Sequence, residues 1–334
     1  MITIVGAGSW GTALAIHLGR AGMAVRLYAR AAHVAEAIAA RRRNPWYLSD
    51  LEIPSGVEAT ADAAIALAGA DVVIVAVPSE FFAATLSRLT PPPRAAVVSA
   101  TKGFDPERHL RMSELVRERF PGAPLAVLSG PTFAREVALG RPTAAVIAAT
   151  DDALASELQG RLRTREVRLY TNRDLIGVEA GGALKNVMAI ATGIADGLGL
   201  GENARAALVT RGLAEMTRLA VALGGEPSTL AGLAGLGDLV LTATGTLSRN
   251  RALGMALARG DSLAHAASST RMVAEGVPTV RTALALAAAH QISMPICDEV
   301  AAVLFCQKAP AEALASLLGR APTREDVTTG ARRA

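Results

Sequence analysis

The residues best suited to chemistry lie in Gly181-Gly182-Ala183-Leu184-Lys185-Asn186-Val187, inside an apolar stretch with helical periodicity. At helical spacing Lys185 shares a face with Val178, Gly181, Gly182, Ala189 and Thr192, and none of these can pair with its charge. A lysine on such a face either snorkels to water or faces a cleft. Glycine inside a helix costs about 1 kcal/mol relative to alanine. Two adjacent glycines beside the lysine therefore point to close approach of backbone or ligand. A partly desolvated lysine with a lowered pKa can donate the proton that a ketone needs when it is reduced. Lys102, in Ser99-Ala100-Thr101-Lys102-Gly103-Phe104, is a second candidate. It follows the apolar run Ala95–Ala100, as Ser129-Gly130-Pro131-Thr132 follows another such run. Both are expected at the carboxyl edge of a sheet, where α/β sites form.

Two segments nearer the C-terminus add charge. Gly235-Leu236-Gly237-Asp238 reads as a glycine-marked loop carrying one carboxylate. In Thr246-Leu247-Ser248-Arg249-Asn250-Arg251, Ser248 reads as a helix N-cap. Arginines at a helix N-terminus oppose the macrodipole. Either they are simply solvated, or an anion sits there with Arg249 as its bidentate partner. A phosphate on a substrate is the simplest such anion.

The elements that must position these groups begin with Gly6-Ala7-Gly8-Ser9-Trp10-Gly11, which follows the apolar strand Ile2–Val5 and opens a helix over Trp10–Ala21. In that context the three glycines form a dinucleotide fingerprint. Gly6 allows the tight turn, Gly8 lets the pyrophosphate reach the backbone, and Gly11 lets helix and strand pack closely. The helix N-terminus offers N–H groups and a positive dipole to the phosphates. The second strand, Ala24–Ala29, ends in Leu27-Tyr28-Ala29-Arg30, without the acid that accepts from the adenosine ribose of NAD. Arg30 either pairs with a 2′-phosphate and stacks on adenine, which selects NADP over NAD, or is a solvated loop residue.

Further runs rich in Val, Leu and Ile fall at Asp71–Val77, Leu125–Leu128, Thr143–Ala149 and Val167–Tyr170. Strands apolar along their whole length belong to sheets covered on both faces, and their alternation with helical patterns implies a doubly wound sheet. After about Thr171 the strand signal ends. Helical patterns fit Asp174–Gly199, Ala204–Leu223, Arg249–Arg259, Val277–His290, Asp298–Gln307 and Ala311–Leu318. The fold class expected is α/β: an N-terminal Rossmann domain over residues 1–170, then an all-α C-terminal domain over residues 171–334.

Composition narrows the function classes. The 334 residues are 51% hydrophobic but only 3% aromatic, which favours close-packed helices over a sandwich or barrel. The net charge of +4 is scattered, and its one run, Arg41-Arg42-Arg43, follows the helix-like stretch Ala31–Ala40 as an ordinary dipole complement. No nucleic-acid face is expected. Cys297 and Cys306 form neither a disulfide framework nor a metal signature, and both are expected as small buried hydrophobes. No metal site is expected. No apolar stretch reaches the roughly 18 residues a membrane helix needs, so a soluble, cytoplasmic protein without membrane insertion is expected.

Taken together, these segments resemble the NAD(P)-dependent glycerol-3-phosphate dehydrogenases of bacteria. The resemblance rests on Gly6 to Ala15, Ser129-Gly130-Pro131-Thr132-Phe133-Ala134, Asn172-Arg173-Asp174 through Asn186, Arg211 to Met216, Leu233 to Leu239, and Ser248-Arg249-Asn250, in order along nearly the whole chain. It implies reduction of dihydroxyacetone phosphate to sn-glycerol 3-phosphate for phospholipid synthesis, with Lys185 as the catalytic lysine. It implies a substrate site lined by Lys102, Gly130, Thr132, Lys185, Asp238, Ser248, Arg249 and Asn250. Around the dinucleotide it implies Ser9, Trp10, Arg30, Tyr47, Lys102, Ala134, Arg249, Val273 and Glu275, beside Gly6, Gly8 and Gly11. Asn44-Pro45-Trp46-Tyr47-Leu48 departs from the family's usual pattern at Pro45 and Trp46. A homodimer is also implied.

Two rivals remain open on the sequence. One is a dehydrogenase of the same two-domain plan acting on a 3-hydroxy acid, which would not need a dianion site at Ser248-Arg249-Asn250. The other is a dinucleotide sensor without turnover, which has no use for Lys185. The Arg30 reading makes a measurable claim of its own. Arg30→Asp should weaken NADPH binding much more than NADH binding, in parallel titrations of the two cofactors; equal losses would remove the 2′-phosphate role.

Overall fold

The computed structural model describes residues 1–268 and 274–321. By its contacts the chain forms two units: Met1–Thr101 with Met112–Leu175, and Lys102–Arg111 with the chain from Ile176 onward. The ten-residue excursion Lys102–Arg111 is an assignment that a single cut near residue 170 does not carry.

The first unit is one eight-stranded sheet of β1 (Ile2–Val5), β2 (Val25–Tyr28), β3 (Val57–Thr60), β4 (Val72–Val75), β5 (Ala96–Ser99), β6 (Leu125–Ser129), β7 (Thr143–Ala148) and β8 (Val167–Asn172). The strand order is β3-β2-β1-β4-β5-β6-β7-β8. From β3 to β6 all neighbours are parallel. β7 runs antiparallel to β6, and β8 is parallel to β7. The first six strands have the Rossmann order, reversing direction between β1 and β4. β1, β4, β5 and β6 are buried along their whole length, as their predominantly apolar sequences, interrupted only by the small polar Thr3, Ser99 and Ser129, allow. β3 was not legible as a strand. Val57-Glu58-Ala59-Thr60 is short and polar, and it pairs on one side only, as the sheet edge allows.

The second unit is helical. Its larger helices are Leu175–Gly197, Gly201–Ala222, Arg249–Ala258, Gly276–Ala289, Pro295–Phe305 and Pro310–Leu318. The last two begin with proline at the first helical position, where its fixed φ fits and its missing N–H costs nothing. That is why the helix expected from Asp298 starts three residues earlier. Leu184, Val187, Met188, Ile190, Met216 and Leu219 centre the core. Of the two cysteines only Cys297 is buried; Cys306 is exposed, just past the end of its helix. Among the described residues no single helix is long and apolar enough to cross a membrane.

Two glycines let the Lys185 helix meet the Arg249–Ala258 helix backbone to backbone. A Cβ on Gly254 would strike the Ile190 carbonyl, and one on Gly193 the Arg251 carbonyl. Gly160, in the helix Asp152–Leu162, faces open space instead. Gly254→Ala should therefore destabilise by roughly 1–3 kcal/mol or more through overpacking, whereas Gly160→Ala should stabilise by up to about 1 kcal/mol through helix propensity. Urea denaturation of the two variants checks the contrast, and the same sign for both would contradict it.

Candidate active site

In the first unit the loop after β1 shows why each glycine is there. Gly6 has φ +110°, and a Cβ on it would lie 2.7 Å from the Ala76 carbonyl oxygen. A Cβ on Gly11 would overlap the Gly6 carbonyl. Gly8 differs from both, because a Cβ there would meet nothing within 4 Å. Packing among the described residues gives no reason for glycine at this position, and a glycine there leaves the backbone open to close approach. Gly8 also caps the helix Ser9–Arg20 without offering a side-chain acceptor. Trp10 Nε1 is buried with no hydrogen-bond partner among the described residues. These features fit a dinucleotide.

The other expected cofactor contacts in this unit are placed as follows. Arg30 is exposed just beyond the end of β2, its guanidinium 5.9 Å from the centre of the Phe81 ring. Tyr47 is half-buried in the segment after the second helix, and Ala134 begins the helix Ala134–Ala138. Gly130 follows β6 with φ +125°, and a Cβ on it would press within 3.0 Å of the Ala145 Cα, so the turn requires glycine. Thr132 Oγ1 donates to the Gly130 carbonyl at 3.1 Å. The loops after β1 and β6 leave the same carboxyl edge of the parallel strands, where ligands of such sheets bind.

In the second unit Gly235–Asp238 is not a loop. Leu233–Gly237 forms a π-helical turn that runs directly into the helix Asp238–Thr244, and π-turns of this kind often mark functional sites. Gly181 accommodates it: a Cβ there would lie 2.6 Å from the Ala234 carbonyl oxygen. The glycine beside the lysine thus serves close backbone approach.

This arrangement brings Asp238 to Lys185. Asp238 is 1% exposed, and Lys185 Nζ lies 3.1 Å from its Oδ1. Lys102 Nζ donates to Oδ2 at 2.6 Å. Lys185 also donates to Thr242 Oγ1 at 2.7 Å, and that hydroxyl donates to the Asp238 main-chain carbonyl at 2.7 Å. The Lys185 side chain is only 8% exposed. The alternative of an exposed, snorkelling lysine is corrected on this point, and of the two partners expected for Asp238, Lys185 or a substrate hydroxyl, the structure shows Lys185. The face of its own helix is small and apolar, and the acid comes from another helix. Thr242 was missed; its signal was the i, i+4 spacing from Asp238 on one helix face.

The electrostatics follow from burial. Desolvation lowers the Lys185 pKa to about 8, helped by the Lys102 charge and opposed by Asp238. Burial pushes the Asp238 carboxyl up, but the fields of Lys102 and Lys185 and the bonds from both outweigh it and hold it below the ordinary carboxylate value. The Glu275 carboxyl is pushed up by desolvation against the fields of Arg249, Lys185 and Lys102. Val273 lies outside the described residues.

Next to this cluster, Asn250 Nδ2 donates to Asn186 Oδ1 at 2.8 Å, and Asn250 Oδ1 accepts from the Gly276 amide at 3.0 Å. Ser248 caps the helix Arg249–Ala258 as its sequence suggested, accepting from the Arg251 amide at 3.2 Å. The two arginines of that helix start part company. Arg251 donates to Asp196 at 2.6 Å, which accounts for it without any ligand. Arg249 is exposed and has no hydrogen bond or ion pair among the described residues.

Comparison with known proteins agrees with these features. Family models described as NAD-dependent glycerol-3-phosphate dehydrogenase N-terminus and C-terminus match residues 1–155 and 174–315. A glycerol-3-phosphate dehydrogenase [NAD(P)+] of Rhodospirillum rubrum is 51% identical over 321 residues, 96% of this chain and 92% of its own. One from Koribacter versatilis is 49% identical, over 97% of this chain and 98% of its own. A crystal structure of the Coxiella burnetii glycerol-3-phosphate dehydrogenase superposes with a TM-score of 0.91 at 40% identity, covering 96% of this chain and 98% of that one.

The ion-pair geometry predicts an asymmetry in stability. Asp238→Asn leaves two lysines without their anion and should cost about 3–5 kcal/mol. Lys185→Met leaves the neutral Lys102–Asp238 pair intact and should cost clearly less. Chemical denaturation of both variants at pH 7 checks the order, and a Lys185→Met loss as large as that of Asp238→Asn would contradict it.

Proposed function

This chain belongs to the NAD-dependent glycerol-3-phosphate dehydrogenase family, and we propose that it reduces dihydroxyacetone phosphate reversibly to sn-glycerol 3-phosphate with Lys185 as the proton donor. The observation that carries this reading is the buried Lys185 ammonium, held by Asp238 and Thr242 and poised with a pKa of about 8. Such a lysine is charged at neutral pH yet releases its proton readily, as a general acid must.

When bound, NADPH supplies the hydride to C2 of the substrate. Lys185 would give its proton to the carbonyl oxygen as negative charge develops there, and that oxygen, still bonded to C2, becomes the hydroxyl. In the oxidising direction the neutral lysine takes that proton back. Asp238 holds Lys185 in place and keeps part of its charged population. Lys102, bonded to the other carboxylate oxygen, adds a second positive charge that stabilises the developing alkoxide.

Arg249 and Asn250 bind the substrate phosphate. Arg249 is suited because it is exposed, makes no hydrogen bond among the described residues and stands next to the Ser248 cap. The Gly130–Thr132 turn contributes further polar groups. Gly6, Gly8, Ser9, Trp10, Gly11, Arg30, Tyr47, Ala134 and Glu275 hold the dinucleotide. NADPH is preferred and NADH possible, because Arg30 stands where an acid would bind the NAD ribose. The product enters phospholipid synthesis in the cytoplasm, and the chain acts as a homodimer.

The test is NADPH oxidation with dihydroxyacetone phosphate, with unphosphorylated dihydroxyacetone, and with NADH in place of NADPH. Turnover should require the phosphate. Arg249→Ala should raise the KM for dihydroxyacetone phosphate by about ten- to hundredfold, since a charge-assisted bidentate pair is worth about 1.5–3 kcal/mol. Equal turnover of the unphosphorylated ketone, or an unchanged KM in the variant, would contradict the phosphate role.

A further inference from the structure

Asn44 is fully buried, and its side-chain amide uses every hydrogen-bonding position it has. Nδ2 donates to the Ala7 carbonyl at 2.9 Å and to Thr12 Oγ1 at 2.8 Å. Oδ1 accepts from the main-chain amides of Trp46 at 2.9 Å and Tyr47 at 3.1 Å. Ala7 lies between Gly6 and Gly8 in the phosphate loop, and Thr12 lies in the first turn of the helix that follows. One side chain therefore ties the phosphate loop to the segment that presents Tyr47.

The rest of that segment is stitched to its surroundings. Arg42 ends the helix Ala32–Arg41 in the left-handed conformation, with φ 52°, and donates to the carbonyls of Ile53 and Pro54. Arg43 donates to the carbonyls of Ser49 and Asp50. The Asp50 carboxylate receives both terminal nitrogens of Arg135, at 3.0 and 2.7 Å, from the helix that Ala134 begins. Arg42 and Arg43 of the basic run thus close this loop. Exposed pairs such as Asp50–Arg135 are worth little singly. The buried Asn44 amide is the strong point of attachment, because an unsatisfied group in its place would carry a full desolvation penalty.

We infer that Asn44 is a positioning residue for the dinucleotide: by holding the Ala7 carbonyl and the Trp46 and Tyr47 amides at once, it fixes the phosphate loop and the 45–54 segment in the geometry that binds the cofactor. The inference rests on the reading that the first unit holds NADPH. Asn44 does not touch the reacting atoms, so its loss falls on cofactor affinity and leaves the phosphate site and the proton donor of the second unit unchanged.

The chain's two tryptophans, Trp10 and Trp46, lie on either side of this junction and report binding without substrate. Asn44→Asp keeps the shape and the Oδ1 acceptor but removes both donors. Quenching of tryptophan fluorescence by NADPH should give a Kd at least tenfold higher in Asn44→Asp than in the unaltered chain. Brief trypsin treatment of the cofactor-free proteins should cut the variant faster at Arg41–Arg43. At saturating NADPH, kcat and the KM for dihydroxyacetone phosphate should stay within twofold. If Asn44→Asp does not fold, Thr12→Val, which removes the hydroxyl that accepts from Asn44, carries the test with an expected rise of at least threefold in Kd. A folded variant with unchanged Kd overturns the positioning role, as does one in which Kd, kcat and both KM values move together. An unaltered chain that does not bind NADPH overturns the cofactor reading instead, and this inference with it.

Discussion

The Asp238 carboxylate, itself buried, holds two ammonium groups at once. Moving a single cation from water into a protein interior costs several kcal/mol even after relaxation, and two close together repel each other besides. Here the carboxylate accepts from Lys102 on one oxygen and pairs with Lys185 on the other. The result is a cluster of net charge +1 with one lysine poised near neutrality. The surrounding backbone is arranged to permit this contact. The π-turn Leu233–Gly237 delivers Asp238, Gly181 gives that turn room, and the Thr242 hydroxyl accepts a hydrogen bond from Lys185 one turn further on.

Lys102 reaches the cluster by a different route. It follows β5 in sequence, yet the segment Lys102–Arg111 makes its contacts with the helical unit. Phe104 is buried in that unit's core, and Arg111 pairs with Glu179 at 3.1 Å on the helix that also carries Lys185. The segment is thus anchored near both ends. A long, flexible lysine is fixed by packing and ion pairs on the short loop behind it, so less entropy is lost in making the bond to Asp238.

The parts of this picture that were legible in the sequence are those written in local pattern. The loop Gly6–Gly11 and most strands follow from apolar runs and glycine spacing, and Ser248 announced its helix through capping chemistry. Lys185 stood out because it contradicts its own helix face. The parts that were not legible depend on tertiary contact. Gly235–Asp238 carries turn-like composition, but its glycines permit close packing against Gly181 and Leu230 instead of breaking a helix. Nothing near Arg251 in sequence reveals Asp196, 55 residues away. Nothing near Asn44 reveals that its amide closes on Ala7. Residue spacing along the chain carries periodicity but not the partner a buried polar group finds across the fold.

The most direct measurement of the central claim is the pH dependence of kcat/KM in both directions, since this ratio reports the ionisation of the free enzyme. A lysine whose pKa is lowered to about 8 is protonated below that pH and neutral above it. Reduction of dihydroxyacetone phosphate should therefore lose kcat/KM as pH rises through about 8, while oxidation of sn-glycerol 3-phosphate gains it over the same range. Profiles that are flat through this range, or that run in the same direction for both reactions, would contradict Lys185 as the proton donor.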